Sequence, residues 1–267
     1  MIRDITIGQY YPAKSPIHRM DPRTKLFGTL IFIISVFLFH SVAGYAVATL
    51  FLAGMIIISP VPVKFIFKGL KAIFMILMIT MVFNILLTPG EVLWKIGIFK
   101  ITREGISMAV RMAIRLVYLV IGSSLMTLTT TPNQLTDGLE KSLRPLNKIH
   151  IPVHEIAMMM SIALRFIPIL LEETDKIMKA QIARGADFES GNLIQKVKNM
   201  VPLLVPLFIS AFRRANDLAM AMEARCYHGG DNRTQMKPLH YTRRDHIAYV
   251  VLFVYLAVAI GFRVMGW

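Results

Sequence analysis

From Leu26 to Ser59 the chain runs for 34 residues without a Lys, Arg, Asp or Glu. A helix crosses a bilayer with about 20 apolar residues, so this stretch is too long for one span. His40-Ser41 offers a break near its middle, which predicts two spans, Leu26–Phe39 and Val42–Ser59, the first drawing extra length from the residues before it. A third is read from about Ala72 to Thr88, stopped by Pro89-Gly90, a fourth from about Ala109 to Thr130, ending before Pro132, and a fifth from about His246 to Phe262. Composition agrees: 55% of residues are hydrophobic and 17% charged, against about 25% charged in ordinary soluble domains, and the mean hydropathy is +0.57. Too few polar residues remain for a disordered chain. The expected fold is an all-α, polytopic membrane protein with about five transmembrane helices plus long amphipathic cytoplasmic helices.

Charge sets the orientation. The net charge of +14 would suggest nucleic acid in a soluble protein, but in a membrane protein it reports Lys and Arg held on the cytoplasmic side. The first 25 residues hold five Lys/Arg against two acids and do not read as a cleavable signal peptide. The segment after the second span carries Lys64, Lys68 and Lys71 and no acid. Residues 89–105 are nearly balanced, and residues 131–245 hold 16 Lys/Arg and 12 Asp/Glu. The simplest layout is a cytoplasmic segment 1–25, a membrane region 26–130 with four spans, a cytoplasmic or interfacial region 131–245, and a final span in 246–267. Residues 156–171 and 199–212 are the ambiguous stretches. They are read as lying at or below the membrane surface; if both crossed, the spans would number seven and the termini would keep their sides.

Between Thr131 and Asp245 the pattern turns amphipathic. Thr131 can cap a helix starting at Pro132, a favoured first helical position, with Leu135, Leu139 and Leu143 at four-residue steps. A long helix should follow Pro152, with an apolar stripe through Ile156, Met159, Met160, Ala163, Leu164 and Ile167, and end at Ala183-Arg184-Gly185. Another runs from about Leu193 through Pro202 and Pro206 to Ala224-Arg225-Cys226, before Gly229-Gly230. Both begin apolar, turn polar, and close on Ala-Arg followed by a small residue, and Arg184 and Arg225 lie 41 residues apart. A basic residue in the last turn also complements the helix dipole, and Gly185 is a natural C′ residue. Presentation of the two arginines to a partner stands beside that plainer reading; a guanidinium suits it, because its planar fork binds carboxylates and carbonyls bidentately.

Chemistry elsewhere is sparse. There is no P-loop sequence and no His-Glu-x-x-His. Pro152 separates His150 from His154, and one cysteine, Cys226, allows neither a disulfide framework nor a multi-Cys metal site. No catalytic residue, metal or cofactor is expected. Ser123, Ser124 and Thr127–Thr131 read as helix-packing hydroxyls. Asp217, Glu223 and His228 read as helix-surface charge. Arg111 and Arg115 share a helix face and either line an interior or snorkel outward. With Asn84 they are the only residues that would serve a self-contained secondary transporter, the alternative function.

The opening Gly8-Gln9-Tyr10-Tyr11-Pro12, the run His18-Arg19-Met20-Asp21-Pro22-Arg23-Thr24-Lys25-Leu26 and the two Ala-Arg tips resemble the transmembrane T component of energy-coupling factor (ECF) transporters, in the shared variety that serves several substrate-binding subunits. The similarity covers nearly the whole chain. It implies a non-catalytic scaffold in a prokaryotic cell membrane that couples ATP hydrolysis by two partner P-loop ATPases to the movement of a membrane-embedded S component, for uptake of vitamins or other micronutrients. Ala183-Arg184-Gly185 and Ala224-Arg225-Cys226 would then end two coupling helices that dock the ATPases, the second departing from the family pattern where Cys226 replaces glycine. Met158, Met159, Met160, Leu203, Leu204 and Leu207 would contact the S component; methionine adapts to varied surfaces.

Overall fold

A computed structural model of the chain describes residues 10–39, 41–96, 99–188, 192–229, 236 and 238–264. Gly8, Gln9, His40 and Gly230 lie outside the described residues. In chain order the elements are α1 (Pro22–Leu38), α2 (Val42–Ile58), α3 (Val63–Leu87), a hairpin of β1 (Val92–Ile96) and β2 (Phe99–Thr102), α4 (Arg103–Thr129), α5 (Pro132–Leu143), a 3-10 turn (Arg144–Ile149), α6 (Val153–Ala183), α7 (Leu193–Glu223) and α8 (Arg243–Val264). The protein is an all-α membrane protein. Its one small sheet among the described residues pairs β1 and β2 antiparallel, so the near-neutral stretch read as a loop is largely a hairpin.

Three helices are long and apolar enough to cross a membrane, α4, α6 and α8, and α3 makes a fourth if its halves, Val63–Lys71 and Ile73–Leu87, bent by 56°, act as one span. This differs from the five spans read in the sequence. α1 and α2 have 17 residues each, about 26 Å, short of the ~30 Å hydrocarbon core. The first turn of α1 is Pro22-Arg23-Thr24-Lys25, and α2 is stopped at Ser59, just before Pro60 and Pro62. α6 is long and apolar enough to cross although the sequence reading placed residues 156–171 at or below the surface. Lys64, Lys68 and Lys71 stand on the first half of α3, exposed and three or four residues apart, with Ile66 buried among them. That half is a basic amphipathic helix rather than the loop expected.

The chain divides into two compact units, one of residues 8–138 and 239–267, the other containing residues 139–238. In the first, α1, α2, α4 and α8 surround an aromatic core. Phe32, Val36, Phe39, Tyr45, Ala48, Leu52, Tyr255 and Ala259 are buried together. Phe51 stacks on Tyr255 at 4.4 Å between centroids, and the Tyr255 hydroxyl bonds Ser35 Oγ at 2.6 Å, satisfying a phenol that burial would otherwise leave unpaired.

The helices begin and end where their caps dictate. Asp21 caps α1, accepting from Arg23 N, with Pro22 in the first turn. Ser41 caps α2 by accepting from Ala43 N at 3.1 Å. Thr131 and Gln134 form a reciprocal capping box at α5, Gln134 N donating to Thr131 Oγ1 at 3.3 Å and Thr131 N to Gln134 Oε1 at 3.2 Å. The hydroxyls of Ser123, Thr127 and Thr129 donate to carbonyls one turn back in α4, so they are spent within the helix.

The His18–Lys25 run has a structural role that spacing alone does not show. Lys25 is buried, and its Nζ donates to Thr129 O at 2.8 Å and His18 O at 3.2 Å, fastening the start of α1 to the C-terminal end of α4. That end is the favourable pole of a helix dipole for a cation. Arg23 grips Asp21 with two bonds of 3.0 and 2.8 Å and lies 4.0 Å from the centre of the Tyr241 ring. Asp245, at the start of α8 and fully buried, accepts from Asp21 N at 2.8 Å, Thr242 N at 2.8 Å and Thr242 Oγ1 at 2.7 Å. His18 bonds Ser15 Oγ at 2.7 Å and Tyr11 O at 3.1 Å. Burial holds its imidazole below the ordinary value, with Lys25 adding to the shift and the Tyr11 carbonyl opposing it.

Candidate functional site

The candidate site is built on α6 and α7, each 31 residues long, about 46 Å. Three links set their direction. Arg214 Nη2 donates to Glu173 Oε2 at 2.8 Å, with Ser210 donating to the other oxygen of that carboxylate. Gln181 Nε2 donates to Pro202 O at 3.4 Å. Asn199 Nδ2 donates to Asp187 O at 2.7 Å. As α6 advances, its partners on α7 recede, so the helices are antiparallel. The Gln181 bond has a local cause: Pro206 lacks the N–H that would pair with Pro202 O along the helix, which frees that carbonyl.

The ends of the two helices close identically. At α6, Gly185 N donates to Ile182 O at 2.9 Å and Ala186 N to Gln181 O at 3.0 Å, with Gly185 at φ +87°. At α7, Cys226 N donates to Glu223 O at 2.8 Å and Tyr227 N to Met222 O at 3.1 Å, with Cys226 at φ +55°. Both are Schellman closures, in which the residue after the cap turns left-handed. The Cys in place of glycine therefore does not change the turn; Cys226 adopts the left-handed backbone that glycine adopts freely. Arg184 and Arg225 occupy the same place in both closures, one residue before the left-handed turn. Both are exposed, and neither guanidinium has a hydrogen-bond or ion-pair partner among the described residues. Ala183 and Ala224 before them are exposed as well.

Because the helices are antiparallel, the two tips lie at opposite ends of the pair. Asp187, just beyond the first tip, is held by Asn199, and from Asn199 to Arg225 is about 39 Å along α7. The second tip sits beside the N-terminal half of α6, where Met158, Ile162, Arg165, Met222, Arg225 and Cys226 line an open cleft of about 560 Å³.

An apolar stripe runs along α7. Ile194, Val197, Val201, Val205, Phe208 and Phe212 are all exposed and recur every three or four residues, and Phe212 retains 69% of its surface. Of the residues assigned to this face from the sequence, Met159, Met160 and Leu204 are exposed, and Met158 and Leu207 are half-buried. Leu203 is 5% exposed and turned inward, so it is not on the open face. The sequence reading missed Phe208 and Phe212; their spacing from Val201 and Val205 was the signal.

The rival groupings do not assemble. Asn84 donates its amide to Thr80 O in its own helix. Arg115 bonds Phe39 O at 3.3 Å and lies 5.2 Å from the Phe37 ring centre, so it caps the C-terminal end of α1. His154 pairs with Glu140 at 2.8 Å, whereas His150 occupies a left-handed turn. Asp217, Glu223 and His228 are exposed on α7 and just past its end. Among the described residues, no group of three His, Cys, Asp or Glu side chains is placed to hold a metal.

Comparison with known proteins agrees with this architecture. The family described as CbiQ, cobalt transport protein, matches residues 13–236. The chain is 57% identical over 266 residues to the energy-coupling factor transporter transmembrane protein EcfT of Clostridium kluyveri, covering 99% of this chain and 98% of that one. It is 55% identical over 256 residues to the EcfT of Ruminiclostridium cellulolyticum, covering 96% of each. It is 49% identical over 264 residues to the EcfT of Bacillus subtilis, covering 98% and 100%. The chain belongs to the CbiQ family, among the transmembrane components of ECF transporters.

Proposed function

We propose that this chain is the non-catalytic scaffold of an ATP-driven importer, in which α6 and α7 are coupling helices, Arg184 and Arg225 dock two P-loop ATPase subunits, and the exposed apolar face of the pair carries a membrane-embedded S component. The observation that carries this reading is the pair of matching helix ends. Two exposed, unpartnered arginines sit on identical closures at opposite ends of one antiparallel pair, an arrangement that suits two similar partners side by side. A helix cap needs no guanidinium left without an ion-pair partner among the described residues, so the plainer reading leaves the repetition unexplained.

Antiparallel packing also bears on the placement of α6. If the apolar residues 153–171 of α6 crossed the bilayer with α7 beside them, Arg165 would enter the hydrocarbon together with Arg225, which lines the same cleft as Met158 and Ile162, and with Asp217 and Glu223 near the end of α7, each at a cost of several kcal/mol. Lying across the cytoplasmic surface, the pair presents both tips to one compartment and its apolar stripe to the membrane or to an embedded subunit. The positive-inside rule, applied to the basic N-terminal segment and the Lys64/Lys68/Lys71 face, supports the cytoplasm as that compartment. In this arrangement residues 1–25 and 131–245 are cytoplasmic or interfacial, and 26–130 and 246–267 form the membrane region.

Nucleotide-driven closure of the ATPase pair would draw the tips together, and the helices would pass that movement to the S component. Such coupling requires contacts that differ between the two states. The captured substrate, a vitamin or another micronutrient, is bound by the S component. Gentle-detergent affinity purification of the chain from its native membrane, followed by mass spectrometry, tests the reading. Two P-loop ATPases and at least one small membrane protein are expected; recovery of a stable, folded chain alone would contradict it.

A further inference from the structure

The bundle of the first unit contains a cleft that the scaffold reading does not use. Its walls are one face each of residues 24–32 of α1, 51–58 of α2, 122–129 of α4 and 244–252 of α8, joined by Pro16, Ile17 and Met20. These are the N-terminal half of α1 and of α8 and the C-terminal half of α2 and of α4, so all four walls belong to the same end of the bundle. The cleft has a volume of about 300 Å³ and is partly open. Its depth is apolar, with Phe32, Phe51, Leu52 and Leu125 among its walls, and Gly28, Thr29 and Ala248 are small enough to leave the space. The cationic residues on its lining are Lys25 and Arg244. Arg244 is exposed with no partner among the described residues, and Lys25 spends two of its three protons on carbonyls.

We propose that this cleft holds an anionic phospholipid, with an acyl chain lying between α1, α2, α4 and α8 and the phosphate held by Arg244 and the remaining Lys25 proton. A partly open apolar cleft of this kind offers water few hydrogen-bond partners. In a bilayer the abundant molecule with an apolar tail of the right width is lipid. Basic pockets between helices on the cytoplasmic side are recognised sites for anionic headgroups. The charge complementarity selects an anionic lipid over a neutral one, because the tail contacts are the same for both. The leaflet follows from the orientation proposed above; the binding itself does not depend on ATPase docking. The bound lipid would fill the gap beneath the contacts that join Lys25 to α4 and Asp245 to α1, so it would stabilise that end of the bundle.

The test uses the full chain, with whatever subunits co-purify, in nanodiscs containing phosphatidylglycerol or phosphatidylcholine whose acyl chains carry a diazirine. After irradiation, mass spectrometry maps the labelled residues. The expected result is labelling of Met55, Leu125 and Leu252 by the phosphatidylglycerol probe, reduced about fivefold in Arg244→Gln, as loss of one cationic contact predicts. Ala248→Trp, which fills the cleft, should abolish that labelling while lipid-facing residues such as Phe253 remain labelled. Arg244 is exposed, so its variant is read without concern for folding. Equal labelling by the two probes, or labelling at these positions unchanged in Ala248→Trp, would overturn the proposal.

Discussion

Arg23 and the pair Arg184/Arg225 show one residue type put to opposite uses in two regions of the molecule. Arg23 is held by two bonds to Asp21 and lies over Tyr241, in a network where Lys25, Asp21 and Asp245 all find partners. Arg184 and Arg225 have no partner among the described residues and stand at the ends of helices that carry a bare apolar stripe. The first region pairs its charged groups internally, as a structural fastening must when its charges are buried. The second leaves both charge and apolar surface unspent, as a surface awaiting partners does. Substitutions should therefore separate the two: stability should respond in the fastening and assembly in the arms.

The largest stability effect is expected at Asp245. Asp245→Ala removes the acceptor for three donors, two of them backbone N–H groups, and should lower unfolding stability by about 3 kcal/mol or more. Thermal unfolding in detergent checks this, and a loss under 1 kcal/mol would dissolve the contrast drawn here. Between α6 and α7 the effect should be smaller. Gln181→Leu removes an exposed bond to the Pro202 carbonyl, which water then solvates, and should cost about 0.5 kcal/mol or less, read as slightly faster amide exchange in both helices with the first unit unaffected.

The left-handed turns sharpen the comparison within the arms. Gly185→Ala should cost about 1 kcal/mol at the first tip, and Cys226→Gly should stabilise the second by a similar amount or less, since a side chain in this conformation is disfavoured by about that much. The check is amide exchange at Ala186 and Tyr227, where opposite changes are expected.

The smallest effect concerns His18, whose imidazole is held below its ordinary value mainly by burial. The folded state then binds a proton less readily than the unfolded chain, so the stability it contributes is present above about pH 6.5 and is lost as pH falls through the lowered folded value. Stability measured across that range should decline toward acid, and the decline should shrink in His18→Gln.

Much of this was legible in the chain because it depends on local pattern. Pro152, Ala183-Arg184-Gly185 and Ala224-Arg225-Cys226 marked the limits of α6 and α7 to within a residue or two, since caps and prolines act on their immediate neighbours. The two arginine tips were visible for the same reason. What depends on distant residues was not. Asp245 and Tyr241 meet Asp21 and Arg23 across more than 200 positions, and nothing in their own surroundings announces the pairing. The direction of α7 against α6 was equally hidden, because it rests on Glu173 meeting Ser210 and Arg214. Where helices start and stop within the uncharged run was hidden for a third reason. An uncharged run counts residues, whereas the α1–α2 break uses several of them as caps and turns. The hairpin at 92–102 was read as loop because it is brief and its charges are balanced.

The most direct measurement is recovery of ATPase subunits with charge-reversed tips. The chain carrying Arg184→Glu and Arg225→Glu, singly and together, is purified in gentle detergent beside the unaltered chain, and the co-purifying ATPases are quantified. The account predicts that each single variant weakens docking at one tip by at least tenfold, as loss of an interfacial arginine anchor does. The double variant should recover essentially no ATPase, while its thermal unfolding matches that of the unaltered chain. Undiminished recovery with the double variant would contradict the assignment of these two arginines as the docking tips.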